Sequence, residues 1–210
     1  MQKIKNLFYS ILIFIFLSNS LNASVVVRGK LKDDVENAHY IVSATISDKE
    51  YAKDTDGEII TVLHLADIEV IKGNKDEPPQ KIIYVGGIFN GVKSQILGMA
   101  DYEAGNRYLF FLRYDNLTCP IVGLGSRSYR IRPDAMGKGQ SVYSHQNEPV
   151  QGMKNGELSL GPKSSIERMD ASSESRGMNY SEFRTVLDNI MKMTDYRDRS
   201  ISAQKVMRVK

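Results

Sequence analysis

Glu58-Ile59-Ile60-Thr61-Val62-Leu63-His64-Leu65-Ala66-Asp67-Ile68-Glu69-Val70-Ile71-Lys72 is the stretch on which the fold turns. It holds no Gly or Pro, is dense in β-branched residues, and alternates. Ile60, Val62, His64, Ala66, Ile68 and Val70 fall on one face, with Thr61, Asp67 and Glu69 on the other. Strand side chains point to opposite faces with a period of two, so this is the pattern of a long strand with one buried side. Asp54-Thr55-Asp56-Gly57 stands directly before it, and Asp-Gly between alternating segments signals a hairpin. Upstream, Ala38 to Ser47 repeats the alternation, with Tyr40, Val42, Ala44 and Ile46 on one face.

The same signals continue downstream. Lys72-Gly73-Asn74-Lys75 and Pro78-Pro79 break the chain before Lys81 to Val85, which ends at Gly86-Gly87. Gly91 and Gly98 bracket a short strand, and Tyr102 to Gly105 reads as a tight turn. Arg107 to Tyr114 is the most apolar strand outside the N-terminal segment; Ile121 to Leu124 and Arg127 to Arg132 complete the set, and Val25 to Leu31 opens it. No segment between the strands has a helical period, which excludes a parallel α/β fold and leaves a closed barrel or a sandwich over residues 24–132.

From Pro133 the composition turns to Gly, Ser, Asn, Lys and Gln. A hairpin is expected around Ser141–Tyr143 and Pro149–Val150, and residues 152–178 read as a polar, Ser-rich loop. Asn179 with Glu182 three residues on forms a capping-box arrangement, and Phe183, Val186, Leu187 and Ile190 make an apolar stripe, so a helix is expected over 179–194. The charged segment 195–210 is expected to fray as a disordered tail.

At the other end, Lys3 and Lys5 precede the apolar run Leu7 to Leu17, and Ser18 to Ala23 is small and polar. That order describes a secretory signal peptide spanning residues 1–23, with an apolar core about half of the roughly 20 residues a membrane helix needs. The mature protein is thus expected in the periplasm or secreted, with no stable membrane insertion. The formal charge of +3 falls to +1 once Lys3 and Lys5 leave with the leader, so no basic face is implied and nucleic acid is an unsuitable partner. Cys119 is the single cysteine, which rules out an internal disulfide. It is expected to be a half-buried small apolar residue, with a bridge between two chains as its alternative.

Motifs that would carry chemistry are incomplete. His39, His64 and His145 lie in separate elements and match no zinc-site spacing. Asp54-Thr55-Asp56-Gly57-Glu58 opens like a calcium loop but has Ile59 where that loop needs glycine. Gly123-Leu124-Gly125-Ser126 continues as Arg127-Ser128, so it lacks the second glycine of a nucleophile elbow. Gly86, Gly87, Gly91 and Gly98 lack phosphate-loop spacing and fit bulges or bends at strand ends. No catalytic, metal or cofactor residue is assigned.

One ordered series resembles known proteins: Val26-x-Arg28-Gly29-Lys30, then Ala38-His39-Tyr40-Ile41-Val42, Ile68-Glu69-Val70-Ile71-Lys72-Gly73, Gly86-Gly87 and Gly105-Asn106-Arg107-Tyr108-Leu109-Phe110-Phe111-Leu112. It resembles exported bacterial proteins of unassigned function, and in arrangement it is similar to the OB-like barrel of netrin-like and metalloproteinase-inhibitor modules. The resemblance implies a small OB-like barrel. It departs where inhibition would reside, since those modules begin with a zinc-binding cysteine and carry disulfides, whereas Ser24 is the expected first residue here.

The expectation is therefore a mainly β chain, a small OB-like barrel or sandwich with one C-terminal helix. Its expected role is a non-enzymatic exported module binding a protein, peptide or envelope component. The candidate surface is Gly86, Gly87, Phe89 and Asn90, since barrels of this type bind through loops and an open face. A cell-envelope hydrolase and a structural or oligomeric envelope protein are the alternatives.

Overall fold

The computed structural model describes residues 29–96, 98–113, 118–133, 139–162 and 177–207, with side chains to 195. The leader, Tyr114 and most of the 152–178 loop lie outside these residues. Helix α1 spans Leu31–Asn37, and strands follow as β1 (Tyr40–Lys53), β2 (Ile59–Lys72), β3 (Lys81–Val85), β4 (Gly87–Phe89), β5 (Val92–Ser94) and β6 (Arg107–Leu112). After a 3-10 turn at Val122–Gly125 come β7 (Ser128–Pro133), β8 (Gln140–Ser144), β9 (Val150–Lys154) and β10 (Glu157–Leu160), and α2 (Tyr180–Met207) closes the chain.

The chain is mainly β, as the alternation requires. Six strands form one antiparallel sheet in the order β3-β2-β1-β6-β7-β8, while β9–β10 and β4–β5 are separate hairpins. The barrel does not close, because β3 and β8 remain the two edges of this sheet. Both faces of the sheet are covered instead. On one side Ile41, Leu109, Phe111 and Val142 pack with Leu31 and Val35 of α1 and with Phe183 and Leu187 of α2. On the other, Val42, Ala44, Ile46, Leu63, Phe110 and Cys119 pack around Tyr84 and Tyr102. Strand β6 serves both cores, so Phe110 and Phe111 are each fully buried.

Several local expectations are corrected. Leu31 begins a helix and does not end a strand, because Leu31 and Val35 place two apolar side chains one turn apart on the same core. In β2 the core side of the first half is Leu63 and Leu65, opposite to the face the alternation picked out. Asp67 then takes φ 48°, and two residues of β2 stand against one of β1 between the Ser43–Glu69 and Thr45–Ala66 pairs. That bulge flips the phase and turns Ile68 and Val70 onto the core that holds Leu65. Arg107 donates to the Asp67 carbonyl at 3.0 Å and to Ser43 Oγ at 2.9 Å, tying the bulge to β6 and β1.

Ile121 to Leu124 is a turn in place of a strand, with Gly123 and Leu124 left-handed at φ 66° and 55°. The stretch read as loop from 152 contains the β9–β10 hairpin, whose Asn155-Gly156 turn has φ 55° and 84°. Helix α2 starts where expected: Asn179 Oδ1 accepts the Ser181 N–H at 2.9 Å. It runs on to Met207, through the segment assigned to a tail.

Candidate functional site

Beside the Tyr84–Tyr102 core, the β4–β5 hairpin leaves the main sheet and folds across it. Two glycines make this departure. Gly86 and Gly87 have φ of 111° and 138°, which other residues seldom adopt, and a Cβ on Gly87 would lie 2.5 Å from Tyr51 Cδ1. Thr61 Oγ1 holds the bend by donating to the Gly86 carbonyl at 2.7 Å. Asn90-Gly91 turns the hairpin, with φ 49° and 78°, the pair of left-handed residues that a type I′ turn demands.

Between hairpin and sheet lies a cleft enclosing about 160 Å³. Tyr51 and Tyr84 line its sheet side, Ile88 and Lys93 its hairpin side, and Ile96 and Met99 the return segment. At one end Lys49 Nζ donates to Asp101 Oδ1 at 2.8 Å and to the Tyr102 carbonyl at 2.9 Å. The same ammonium sits 5.4 Å from the Tyr51 ring centroid, a cation–π contact. Ile88 and Val92 are 49% and 61% exposed, unusually open for large apolar side chains in a protein with two filled cores.

Two of the cleft's polar groups, Lys49 and Tyr84, hold their protons. Burial pulls the Lys49 ammonium down, but its hydrogen bonds to Asp101 and Tyr51 raise it above the ordinary lysine value on balance. Burial pushes the Tyr84 phenol up to about 12 despite its hydrogen bond with Thr61. Near neutral pH neither serves as a base, so the cleft offers apolar walls, fixed donors and one ion pair. The volume falls below the roughly 300 Å³ of ordinary small-molecule pockets and suits an inserted side chain.

Of the expected surface, Gly86 and Gly87 line this cleft. Phe89 is half-buried and pairs with Val92, while exposed Asn90 forms the hairpin tip; neither lines the cleft. Sequence reasoning missed Lys49, Tyr51, Thr61, Tyr84, Ile88 and Asp101. The Asn90-Gly91 dipeptide was the available signal for the hairpin; nothing in the sequence pairs Lys49 with Asp101. His64 stands apart with Nε2 3.2 Å from Glu50 Oε1. Asp54 Oδ1 accepts the N–H groups of Asp56 and Glu58 at 3.0 and 2.8 Å, so that carboxylate shapes its turn. The Cys119 thiol is 1% exposed and 3.8 Å from Met99 Sδ, and burial raises its pKa, which makes it an unreactive core group in the folded chain. A bridge between two chains through Cys119 would require opening the core.

A second depression of about 480 Å³ lies between α1, β2 and α2, lined in part by Glu36, Lys72 and Asp195. Its lysine is committed to structure, since Lys72 Nζ donates to the Val35 and Ala38 carbonyls at 2.6 Å and so caps α1. Among the described residues no helix is long and apolar enough to cross a membrane. Comparison with protein-family models, with curated proteins and with solved structures gives no match.

Proposed function

We propose that this chain is an exported, non-enzymatic binding module that takes a protein or peptide segment at the β4–β5 hairpin and the cleft beneath it. The observation that carries this reading is an exposed apolar side chain, Ile88, on the wall of a cleft sized for one side chain, with Val92 exposed on the other face of the same hairpin. Exposed apolar residues next to a concave, partly polar surface are the usual composition of a protein-recognition patch. Export rests on the charged, apolar and small-residue order of residues 1–23. Lys49 and Tyr84 are both held protonated, so neither supplies the proton acceptor that the hydrolase alternative would need.

The test is a photo-crosslinking residue placed at Val92 in the full chain, expressed in cells and irradiated. A discrete envelope-protein or peptide adduct, lost when Ile88 is also changed to Lys, is the expected result. Irradiation that yields only unmodified protein, with the variant correctly folded, would sink the reading.

A further inference from the structure

At the opposite end of the sheet, β7 and β8 carry a second polar site. Arg130 pairs across the sheet with Tyr108 and Tyr143, and Arg132 with Ser141, so both arginines stand on the same face of β7. Residues two apart along a strand lie roughly 7 Å from one another. Arg130 donates to Asn106 Oδ1 and lies 3.3 Å from Glu103 Oε2, a carboxylate that is mostly exposed. Arg132 donates to Asn147 Oδ1, and its guanidinium lies 4.8 Å from the Tyr143 ring centroid. No carboxylate among the described residues forms an ion pair with Arg132. Nearby Glu148 is engaged by the Ser144 hydroxyl at 3.1 Å.

Arg130 Nε, Arg132 Nε and His145 Nδ1 are each buried without a hydrogen-bond partner. Buried polar groups are almost always satisfied, so a cluster of orphans within one strand and the turn it touches calls for a water, an ion or a ligand group there. Arg130 reaches toward β6, where Glu103 stands beside it, whereas Arg132 reaches toward β8 and keeps a half-buried positive charge that an anion would offset. Tyr143 and Asn147 fix the plane of Arg132, which holds its remaining N–H groups in a set direction for an acceptor.

We propose that Arg132 forms an oxyanion-binding site that holds a carboxylate or phosphate group. The site lies apart from the hairpin cleft and stands whether or not the cleft binds a partner. Melting the full chain near neutral pH in sodium phosphate, sodium acetate and sodium chloride at matched ionic strength tests it. The bound oxyanion should raise the midpoint by roughly 3–6 °C at about ten times its Kd. A rise in acetate alone identifies a carboxylate site, and a rise in phosphate alone a phosphoryl site. The rise should vanish in Arg132→Lys, which keeps the charge and loses the fork. The Arg132 Nε–H resonance of the unmodified chain should shift in the same titrations, which decides the matter should the variant fail to fold. Equal midpoints in all three salts with an unmoved resonance overturn the proposal, as does a rise undiminished in a folded Arg132→Lys chain.

Discussion

Lys49 reaches 52 residues along the chain to Asp101, and their 2.8 Å contact closes one end of the hairpin cleft. Asp101 is largely exposed, so the ion pair itself is worth no more than about 1 kcal/mol. Lys49→Met keeps the aliphatic stem against Tyr51 and removes the ammonium. We expect urea unfolding to show a loss of about 1–3 kcal/mol, because the Tyr102 carbonyl loses its donor as well, together with a fall in crosslinking at Val92. A variant that unfolds far more readily would make Lys49 a structural residue in place of a recognition one.

Phe110 and Phe111 should both be indispensable to stability. Adjacent residues in a strand face opposite sides, and here each side is a closed core. Truncating a buried phenylalanine costs about 3–5 kcal/mol, and the penalty should appear in both Phe110→Ala and Phe111→Ala when each is unfolded in urea. Tolerance at either position would mean that its face of the sheet is open to water.

Those two residues also show which parts of the fold the sequence could disclose. Alternation announced the strands because burial on one face leaves a period of two. A doubly apolar run such as Leu109 to Leu112 conceals its facing, since it reports that both sides are covered. The phase of β2 was illegible for the same reason, with Ile59 to Leu65 apolar at nearly every position and the Asp67 bulge reversing the pattern midway. Barrel closure depends on hydrogen bonds between strands distant in sequence, which no local pattern encodes. Gly86 and Gly87 stood out because backbone strain is local; Lys49 and Asp101 did not, because their meeting is a product of the tertiary fold.

Asp34 should make stability depend on pH. It is buried in α1, with Arg127 Nε 3.4 Å from its Oδ1 and its Oδ2 unpartnered. Burial pushes its carboxyl from 3.8 up to about 6, with Arg127 pulling the other way. The native state therefore keeps a proton that the unfolded chain has already released. Stability from this group is complete below about pH 4 and is lost as pH rises through about 6, by at most on the order of 3 kcal/mol. Asp34→Asn should flatten that slope. A slope unchanged in the variant, measured by denaturant unfolding across this range, would assign the effect to another group.

Gly87→Ala should uncouple the cleft from the fold. The new methyl would fall 2.5 Å from Tyr51 Cδ1 and 2.8 Å from Thr61 Oγ1, and φ 138° is strained for any side chain. Tyr51 is a partly exposed ring that can swing aside, whereas the Thr61 hydroxyl is held by its bond to the Gly86 carbonyl. The hairpin, attached to the main sheet through this bend, is the element free to yield. Backbone strain of this kind costs on the order of 1–3 kcal/mol, so the chain should remain folded while β4 and β5 shift. Amide hydrogen exchange should quicken at Gly87 to Ser94 and stay slow in β1 and β6, and crosslinking from Val92 should fall with it. Unchanged exchange in the hairpin would show that the bend accepts a side chain, and the two glycines would then owe their presence to something other than backbone geometry.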